Sequence, residues 1–312
     1  FMKEKNINQN RTLKNIKKAF PYYIMLLPGF IYLIINNYIP MAGVVIAFKN
    51  VDFRKGIFRS DWIGFKNFEY LFKTPDAFLI TRNTILYNLA FIVVNMAVAI
   101  VFAIFLAEIR SKMAVKLYQT IILLPFTISI VIVSYLAYAF LAGDSGLLNG
   151  ILTSLGFEKI SWYTEPKYWP FILVIVNCWK GVGYGTVIYL ASIMGINSEY
   201  YEAAAVDGIT KFQQIRYITI PMIRPTIITM LLLNIGRVLY SDFGLFYQVP
   251  MNSGALLDAT NTIDTYVYRG LITLGDIGMS SAACFYQSVV GLVLVLGANW
   301  LTRKFSSENA LF

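Results

Sequence analysis

The segment Asn197-Ser198-Glu199-Tyr200-Tyr201-Glu202-Ala203-Ala204-Ala205-Val206-Asp207-Gly208, continued by Ile218-Thr219-Ile220-Pro221, is a polar island between two long hydrophobic blocks. Its local chemistry predicts two short helices joined at a glycine. Asn197 or Ser198 can cap the first, and Glu199 and Glu202 sit where the N-terminal end of a helix favours negative charge. Ala203, Ala204 and Ala205 are strong helix formers of little bulk, which lets the helix seat closely in a groove. Gly208 stands where the chain must turn at positive φ. Thr210 and Gln213 form a T-x-x-Q capping box for a second helix. That helix carries Phe212, Ile215 and Ile218 on one side and is expected to end before Pro221, with Pro225 following shortly.

Around this segment the chain is unusually apolar. Of 312 residues, 57% are hydrophobic and 14% charged, too apolar for an ordinary soluble domain of this size. The apolar residues come in blocks near the ~20-residue length that crosses a bilayer. Six spans are expected at about 20–47, 83–107, 117–141, 168–195, 222–247 and 280–301, the error on such boundaries being about 2–4 residues. Hydrocarbon leaves no partner for exposed backbone groups, so the spans must be helices, or helices with buried breaks. The first contains Pro28 and Pro40 and predicts a kink or break near Pro40. The chain therefore reads as an all-α membrane protein: a basic segment 1–19, a membrane domain 20–302 and a tail 303–312. No cleavable signal peptide is expected, because the first block is long and lacks a small-residue cleavage site.

Basic residues set the orientation. Lys3, Lys5, Arg11, Lys14, Lys17 and Lys18 precede the first span, and two short loops carry Arg110, Lys112 and Lys116, then Lys211, Arg216 and Arg224. Most basic residues on the other side fall in one long loop, 49–82, and long translocated loops count less. Both termini and the Glu202 loop are thus expected on the cytoplasmic side of the membrane. The net charge of +9 suits anionic lipid headgroups better than nucleic acid, since the cations lie in loops between apolar blocks. The outside loops 49–82, 142–167 and 248–279 are rich in aromatics and read as short interfacial helices.

The spacing Glu-Ala-Ala, three residues, Gly, nine residues, Ile-x-Ile-Pro resembles the cytoplasmic EAA loop of ABC importer permeases, with Ile220 where that family usually has Leu. The resemblance extends over about residues 20–312. Gly64-Phe65-Lys66-Asn67-Phe68 and Asn83-Thr84 resemble sugar permeases of the maltose-transporter type. Tyr201 to Gly208, Pro225-Thr226-Ile227-Ile228 and Ile263-Asp264-Thr265-Tyr266-Val267-Tyr268-Arg269 resemble the LplB-type oligosaccharide branch. The departure from that branch is Arg237-Val238-Leu239-Tyr240-Ser241-Asp242, where uncharged residues are more usual. The resemblance implies a type I importer fold paired with a second homologous permease and two ATP-binding-cassette subunits. An extracellular solute-binding protein would deliver an oligosaccharide. It also implies that Glu202, Ala203, Ala204, Gly208, Ile218 and Pro221 couple this chain to an ATPase, Glu202 pairing with a basic residue there. ATP and Mg would be bound by those partners, with no cofactor in this chain.

Polar residues inside spans mark a possible solute path. Lys180 and Tyr184 lie in the fourth span, beside Gly181-x-x-x-Gly185, whose glycines suit helix packing. Asn234, Arg237, Tyr240 and Asp242 lie in the fifth, and Tyr286 and Gln287 in the sixth. Aromatic faces can cover the C–H surface of a sugar while amides and charges take its hydroxyls. Each tyrosine also fits simple packing, Arg237 and Asp242 fit structural pairing, and Lys180 fits snorkelling.

The chain has no His, and Cys178 and Cys284 both lie in apolar blocks, which argues against a metal centre, His catalysis or a disulfide framework. No G-x-x-x-x-G-K-[ST] loop occurs, so the chain is not expected to hydrolyse ATP, and no catalytic residues are assigned. A secondary transporter or channel would need its own ion-coupling groups and usually a repeat. A membrane enzyme acting on lipid-linked sugars would need clustered acid–base or metal-binding groups. Neither pattern is found.

Overall fold

The computed structural model describes residues 19–73 and 75–305. The expected basic segment 1–19, apart from its last residue, and tail positions 306–312 lie outside the described residues. The chain divides into two compact units, residues 1–67 and 68–312.

The described part of the first unit opens with α1, Ala19–Phe48, long and apolar enough to cross a membrane. The expected disruption at Pro40 takes a specific form. The helix is not broken: it widens to a π-turn over Ile34–Tyr38, Ile39 donating to the Ile34 carbonyl, and then tightens to a 3-10 helix over Ala42–Phe48. Pro40 has no N–H and its ring crowds the carbonyl four residues back, so the wider turn accommodates it. A hairpin follows that the reading of this loop did not contain. β1, Lys49–Asn50, pairs antiparallel with β2, Asp61–Trp62. Gly56, at φ 78°, makes the turn possible. Asn67 locks the hairpin to the end of α1, its amide donating to the Ala47 and Lys49 carbonyls, both at 3.0 Å. The helix Lys66–Lys73, here α2, starts at this point.

In the second unit the long helices are α3, Pro75–Ala107, α7, Trp169–Met194, and α13, Ile277–Phe305. Between α3 and α7 lie α4, Lys112–Thr127, α5, Ile130–Leu141, and α6, Leu147–Ser154. After α7 come α8, Ser198–Val206, α9, Lys211–Met222, α10, Arg224–Ile235, α11, Phe243–Gln248, and α12, Ile263–Ile272. Among the described residues four helices are long and apolar enough to span a membrane, and six spans result if each bent pair counts as one: α4 with α5, bent by 95°, and α9 with α10, bent by 58°.

Two expected spans therefore change shape. The third, 117–141, folds sharply after Thr127, because Pro125 closes the last turn and Ile128 donates to its carbonyl. The fifth, 222–247, is no continuous helix. α10 stops at Ile235, residues 236–242 form tight turns, and α11 restarts with Asp242 as its cap, Oδ1 accepting from the Leu245 amide at 3.1 Å. Arg237 and Asp242 are consequently not on one helix, and their spacing along a helix has no meaning here. The Pro221 boundary also moves. Helix α9 runs through Pro221 to Met222 because a π-turn over Ile215–Thr219 makes room for the ring, as in α1.

One core cluster buries Ala99, Ala103 and Leu106 of α3 with Val182, Tyr189, Leu190 and Ile193 of α7. Another gathers Tyr87, Phe91, Trp169, Leu173 and Phe246, with the Tyr87 and Phe246 rings 4.9 Å apart. Small residues permit the close approaches. Gly185 faces the Ala99 methyl, and Gly183 is tighter still: an added Cβ there would lie 2.2 Å from the Ile122 carbonyl oxygen of α4. On the far side of the bundle, Asn149 is fully buried and ties its loop together through Gly143, Ile160 and the Trp162 indole. Arg269 similarly fastens Asn252, Asn261 and Thr265. Burial pulls its pKa below the usual guanidinium range, opposed by the nearby Tyr247.

Backbone cannot retreat as a flexible side chain can, so Gly183→Ala is expected to separate α7 from α4 and destabilise the protein by about 1–3 kcal/mol. Gly150→Ala, in open space within α6, is expected to be neutral or stabilising by up to about 1 kcal/mol. Thermal unfolding of both purified variants in detergent checks this; equal midpoints would contradict the packing assignment.

Candidate functional site

The loop between α7 and α10 is built as a stiff joint. Asn197 caps α8, its Oδ1 accepting from the Glu199 amide at 3.1 Å. The far end closes with Gly208 at φ 72°, the Ile209 amide donating to the Ala204 carbonyl at 2.9 Å and the Gly208 amide to that of Ala205 at 3.2 Å. This pair of bonds is a complete Schellman motif. Two residues later the Thr210–Gln213 capping box is fully formed. The two helices are also tied side by side by Tyr201 and Thr219, whose hydroxyls are 2.9 Å apart. Lys211 pairs with Glu108, after α3, at 3.0 Å.

Within this joint the predicted residues divide by exposure. Ala204 is buried and Ile218 half-buried, so they and the buried Thr219 anchor the loop to the bundle. Pro221 lies inside α9. Glu202 and Ala203 are exposed, as are Val206 (88%) and Phe212 (71%). Phe212 thus points away from the face that Ile215 and Ile218 bury, contrary to the single apolar side expected of this helix. The capping box starts the helix at Lys211 and leaves Phe212 in its first turn, outside the packed stripe. The result is that Glu202, Val206 and Phe212 stand exposed on well-anchored backbone.

The residues expected along a solute path fall into two groups, at the two helix breaks. At the α4–α5 break Lys180 of α7 donates to the carbonyls of Ile128, at 2.7 Å, and Phe126, at 3.2 Å. These are end-of-helix carbonyls with no intrahelical partner, and the ammonium also complements the negative end of α4. Lys180 is thereby engaged at the break, whether or not it also lines a path. Tyr184, one turn on, stacks against Phe126 with ring centroids 5.5 Å apart.

At the α10–α11 break the turn backbone is held by side chains from three helices. Asn88 of α3 donates to the Val238 carbonyl at 2.9 Å and that of Tyr240 at 3.2 Å. Asp264 of α12 accepts from the amide and hydroxyl of Ser241, both at 2.7 Å. Gln287 of α13 is buried, donating to the Leu239 carbonyl and to Asp264. Gln287 and Asp242 thus hold backbone at the break, and Tyr286 packs partly buried against the core cluster that contains Ile80, Val238, Leu239 and Ile263. Asn234, Arg237 and Tyr240 are exposed. Asn234 donates back to the Met230 carbonyl, and the Tyr240 hydroxyl lies 3.3 Å from that of Ser288. Asn88 and Asp264 were not among the residues singled out from sequence; the visible signal for Asn88 was an amide inside an otherwise apolar block. Among the described residues no group of three or more His, Cys, Asp or Glu could hold a metal.

Comparison with known proteins gives this arrangement a context. The family described as binding-protein-dependent transport system inner membrane component matches residues 99–307. Protein LplB of Bacillus subtilis (strain 168) is 35% identical over 287 residues, covering 92% of this chain and 90% of LplB. The polygalacturonan/rhamnogalacturonan transport system permease protein YteP of the same organism is 36% identical over 314 residues, covering 99% of this chain and 95% of YteP. A chain in the crystal structure of a bacterial ABC transporter involved in the import of the acidic polysaccharide alginate is 34% identical and superposes with a TM-score of 0.87, covering 95% of this chain and 99% of that one. A related structure holds the alginate transporter in complex with an alginate pentasaccharide-bound periplasmic protein, with a TM-score of 0.86. With its helix breaks, its rigid loop and matches over nearly its whole length, the chain belongs to the binding-protein-dependent inner membrane components, and is a multi-pass permease subunit of an ABC importer.

Proposed function

We propose that this permease moves an oligosaccharide, delivered by an extracellular solute-binding protein, into a bacterial cell. ATP, with Mg, is bound and hydrolysed in two partner ATPase subunits, and a second homologous permease completes the path. The chain itself carries no cofactor and performs no catalysis. Both termini and the loop 197–221 face the cytoplasm. The relatives' polysaccharide cargoes support the substrate class.

The observation that carries the coupling role is the exposure of Glu202, Val206 and Phe212 on the stiff joint. Val206 and Phe212 would lose favourable burial in water, so such a pair on anchored backbone fits a surface covered by another protein. Glu202, one helical turn before Val206 on α8, supplies a charge for a basic groove. Force is transmitted only if the joint does not flex, and the Schellman motif, the capping box and the Tyr201–Thr219 contact stiffen it. A channel or secondary transporter would leave this construction without a purpose.

Glu202→Lys is expected to leave membrane insertion intact while weakening ATPase association and abolishing uptake, measured by co-purification and transport in proteoliposomes. Unaltered binding and uptake would remove Glu202 from the contact. At Gly208 nothing lies within 4 Å of an added Cβ, so only backbone strain is at issue. Gly208→Val should cost about 1–3 kcal/mol and uncouple ATP hydrolysis from uptake, whereas Gly208→Asn, which tolerates a left-handed conformation, should retain most activity. For orientation, Thr210→Cys and Ala255→Cys are made after replacing Cys178 and Cys284. An impermeant maleimide added to intact cells should label position 255 and spare position 210; the reverse pattern would invert the topology.

A further inference from the structure

Two adjoining cavities form one furrow along the groove between α3 and α7. The first, of about 540 Å³, lies between Arg82, Leu86 and Ala90 of α3 and Lys167, Pro170 and Val174 at the start of α7. The second, of about 480 Å³, shares Val174 and continues past Val94, Val98 and Phe102. Every fourth residue of α3 from Arg82 to Phe102 therefore borders the furrow, over about 30 Å of helix. The two helices run parallel: Asn95 donates to Asn177 at 2.8 Å, and further along both helices Ala99 faces Gly185. Their starts, with Arg82 and Lys167, consequently stand at the same end. Beyond Arg82 this row of α3 is wholly apolar, and both helices are long and apolar enough to cross a membrane. Leu86 is 57% and Ile175 66% exposed, so the furrow opens on the surface of these spans. An open apolar trough on a span is covered by a lipid chain or by another helix. The charged end decides for lipid, because a phospholipid brings an anion to its own head and a helix would have to supply one.

At that end the charged groups are positioned but not saturated. Arg82 spends one of its five donors on the Asn83 Oδ1, at 3.1 Å. Asn83 is itself buried and fixed on the carbonyls of Asp258 and Asn261, both at 3.0 Å. Lys167 pairs with Glu165 at 3.3 Å, an exposed contact that holds little energy and yields to a better partner. Asp258 lines the same cavity, and among the described residues its carboxylate has no ion pair or hydrogen bond. The rim therefore offers two cations and one unengaged carboxylate. A phosphodiester satisfies the cations and a primary ammonium satisfies the carboxylate. A head with negative charge alone would leave Asp258 repelled.

We propose that the furrow holds one phosphatidylethanolamine molecule. Its phosphate lies between Arg82 and Lys167, its ammonium meets Asp258, and one acyl chain descends past Leu86 and Ala90. A leaflet is about half of a hydrocarbon layer of about 30 Å, so the chain reaches about ten residues beyond Arg82, where the first cavity gives way to the second. The assignment does not depend on the identity of the cargo.

The test uses the complete importer, with its second permease and ATPase subunits, in liposomes. The probe is a phosphatidylethanolamine carrying a diazirine midway along one acyl chain, compared with phosphatidylglycerol and phosphatidylcholine labelled in the same way. After irradiation, peptides of α3 around residues 86–94 or of α7 around 170–178 should carry the ethanolamine probe. It should exceed either other probe by about two- to fivefold, the scale of a partly exposed charge pair. Arg82→Gln combined with Lys167→Gln should lower this labelling at least about tenfold, the scale of lost charge-assisted hydrogen bonds. Asp258→Asn should keep the labelling and abolish the preference for ethanolamine over choline. Ala90→Trp, which fills the furrow without touching the rim charges, should also lose the label. Co-purification of the ATPase subunits shows that each variant assembles, and the wild-type comparison of heads decides where one does not. An unlabelled furrow in the wild type would give the groove to a neighbouring helix. Equal labelling by all three heads would reduce it to bulk lipid contact, and unchanged labelling in the double variant would remove Arg82 and Lys167 from the site. Each of these results would overturn the proposal.

Discussion

Backbone amides and carbonyls have no hydrogen-bonding partner in hydrocarbon, and the architecture of this chain is organised around that cost. A straight helix satisfies its own backbone. This chain interrupts helices at Thr127–Ile130 and again at 236–242, and each interruption frees polar groups that must be met by side chains. Lys180 serves the first. Asn88, Asp264 and Gln287 serve the second. Lys180, Asn88, Asp264 and Gln287, polar residues in or beside apolar segments, are therefore accounted for by the breaks they stabilise. The breaks in turn leave short stretches of non-helical backbone between the helices.

The chain handles proline by two different devices. Pro40 and Pro221 each follow a π-turn, which widens the helix and lets it continue. Pro125 closes a helix end, and the chain bends by 95° beyond it. The difference lies in what surrounds each ring. After Pro125 an ammonium stands ready to take the freed carbonyls, and the bend is tolerated. At Pro40 and Pro221 the wider turn keeps the backbone bonded to itself, so no outside donor is needed.

The loop 197–221 solves a different problem. It must be stiff with few side chains, among them Ala204, Ile218 and Thr219, packed against the bundle, and tertiary packing that sparse cannot by itself supply rigidity. Local motifs do so instead: a side-chain cap at Asn197, a glycine-centred Schellman closure and a capping box two residues later. Because these motifs are local, the apolar side chains Val206 and Phe212 are released from packing duty and left exposed.

That distinction also explains what the sequence could disclose. Local chemistry was legible. The Asn197 cap, the positive φ of Gly208, the Thr210–Gln213 box and the long apolar blocks all follow from residues a few positions apart, since their hydrogen bonds close within one or two helical turns. Only tertiary structure decided where the helices break and which polar residues serve the breaks. Asn88 meets the Val238 carbonyl 150 positions away, and Lys180 reaches Ile128 across 52. Gly183, inside the Gly181–Gly185 pattern, proved tighter than either glycine of that pattern because of a carbonyl on another helix. In the fifth hydrophobic block, composition alone suggested one helix carrying both Arg237 and Asp242. The fold separates them, giving Asp242 a helix cap and leaving Arg237 exposed, because a charge's role depends on the distant groups that packing brings within reach.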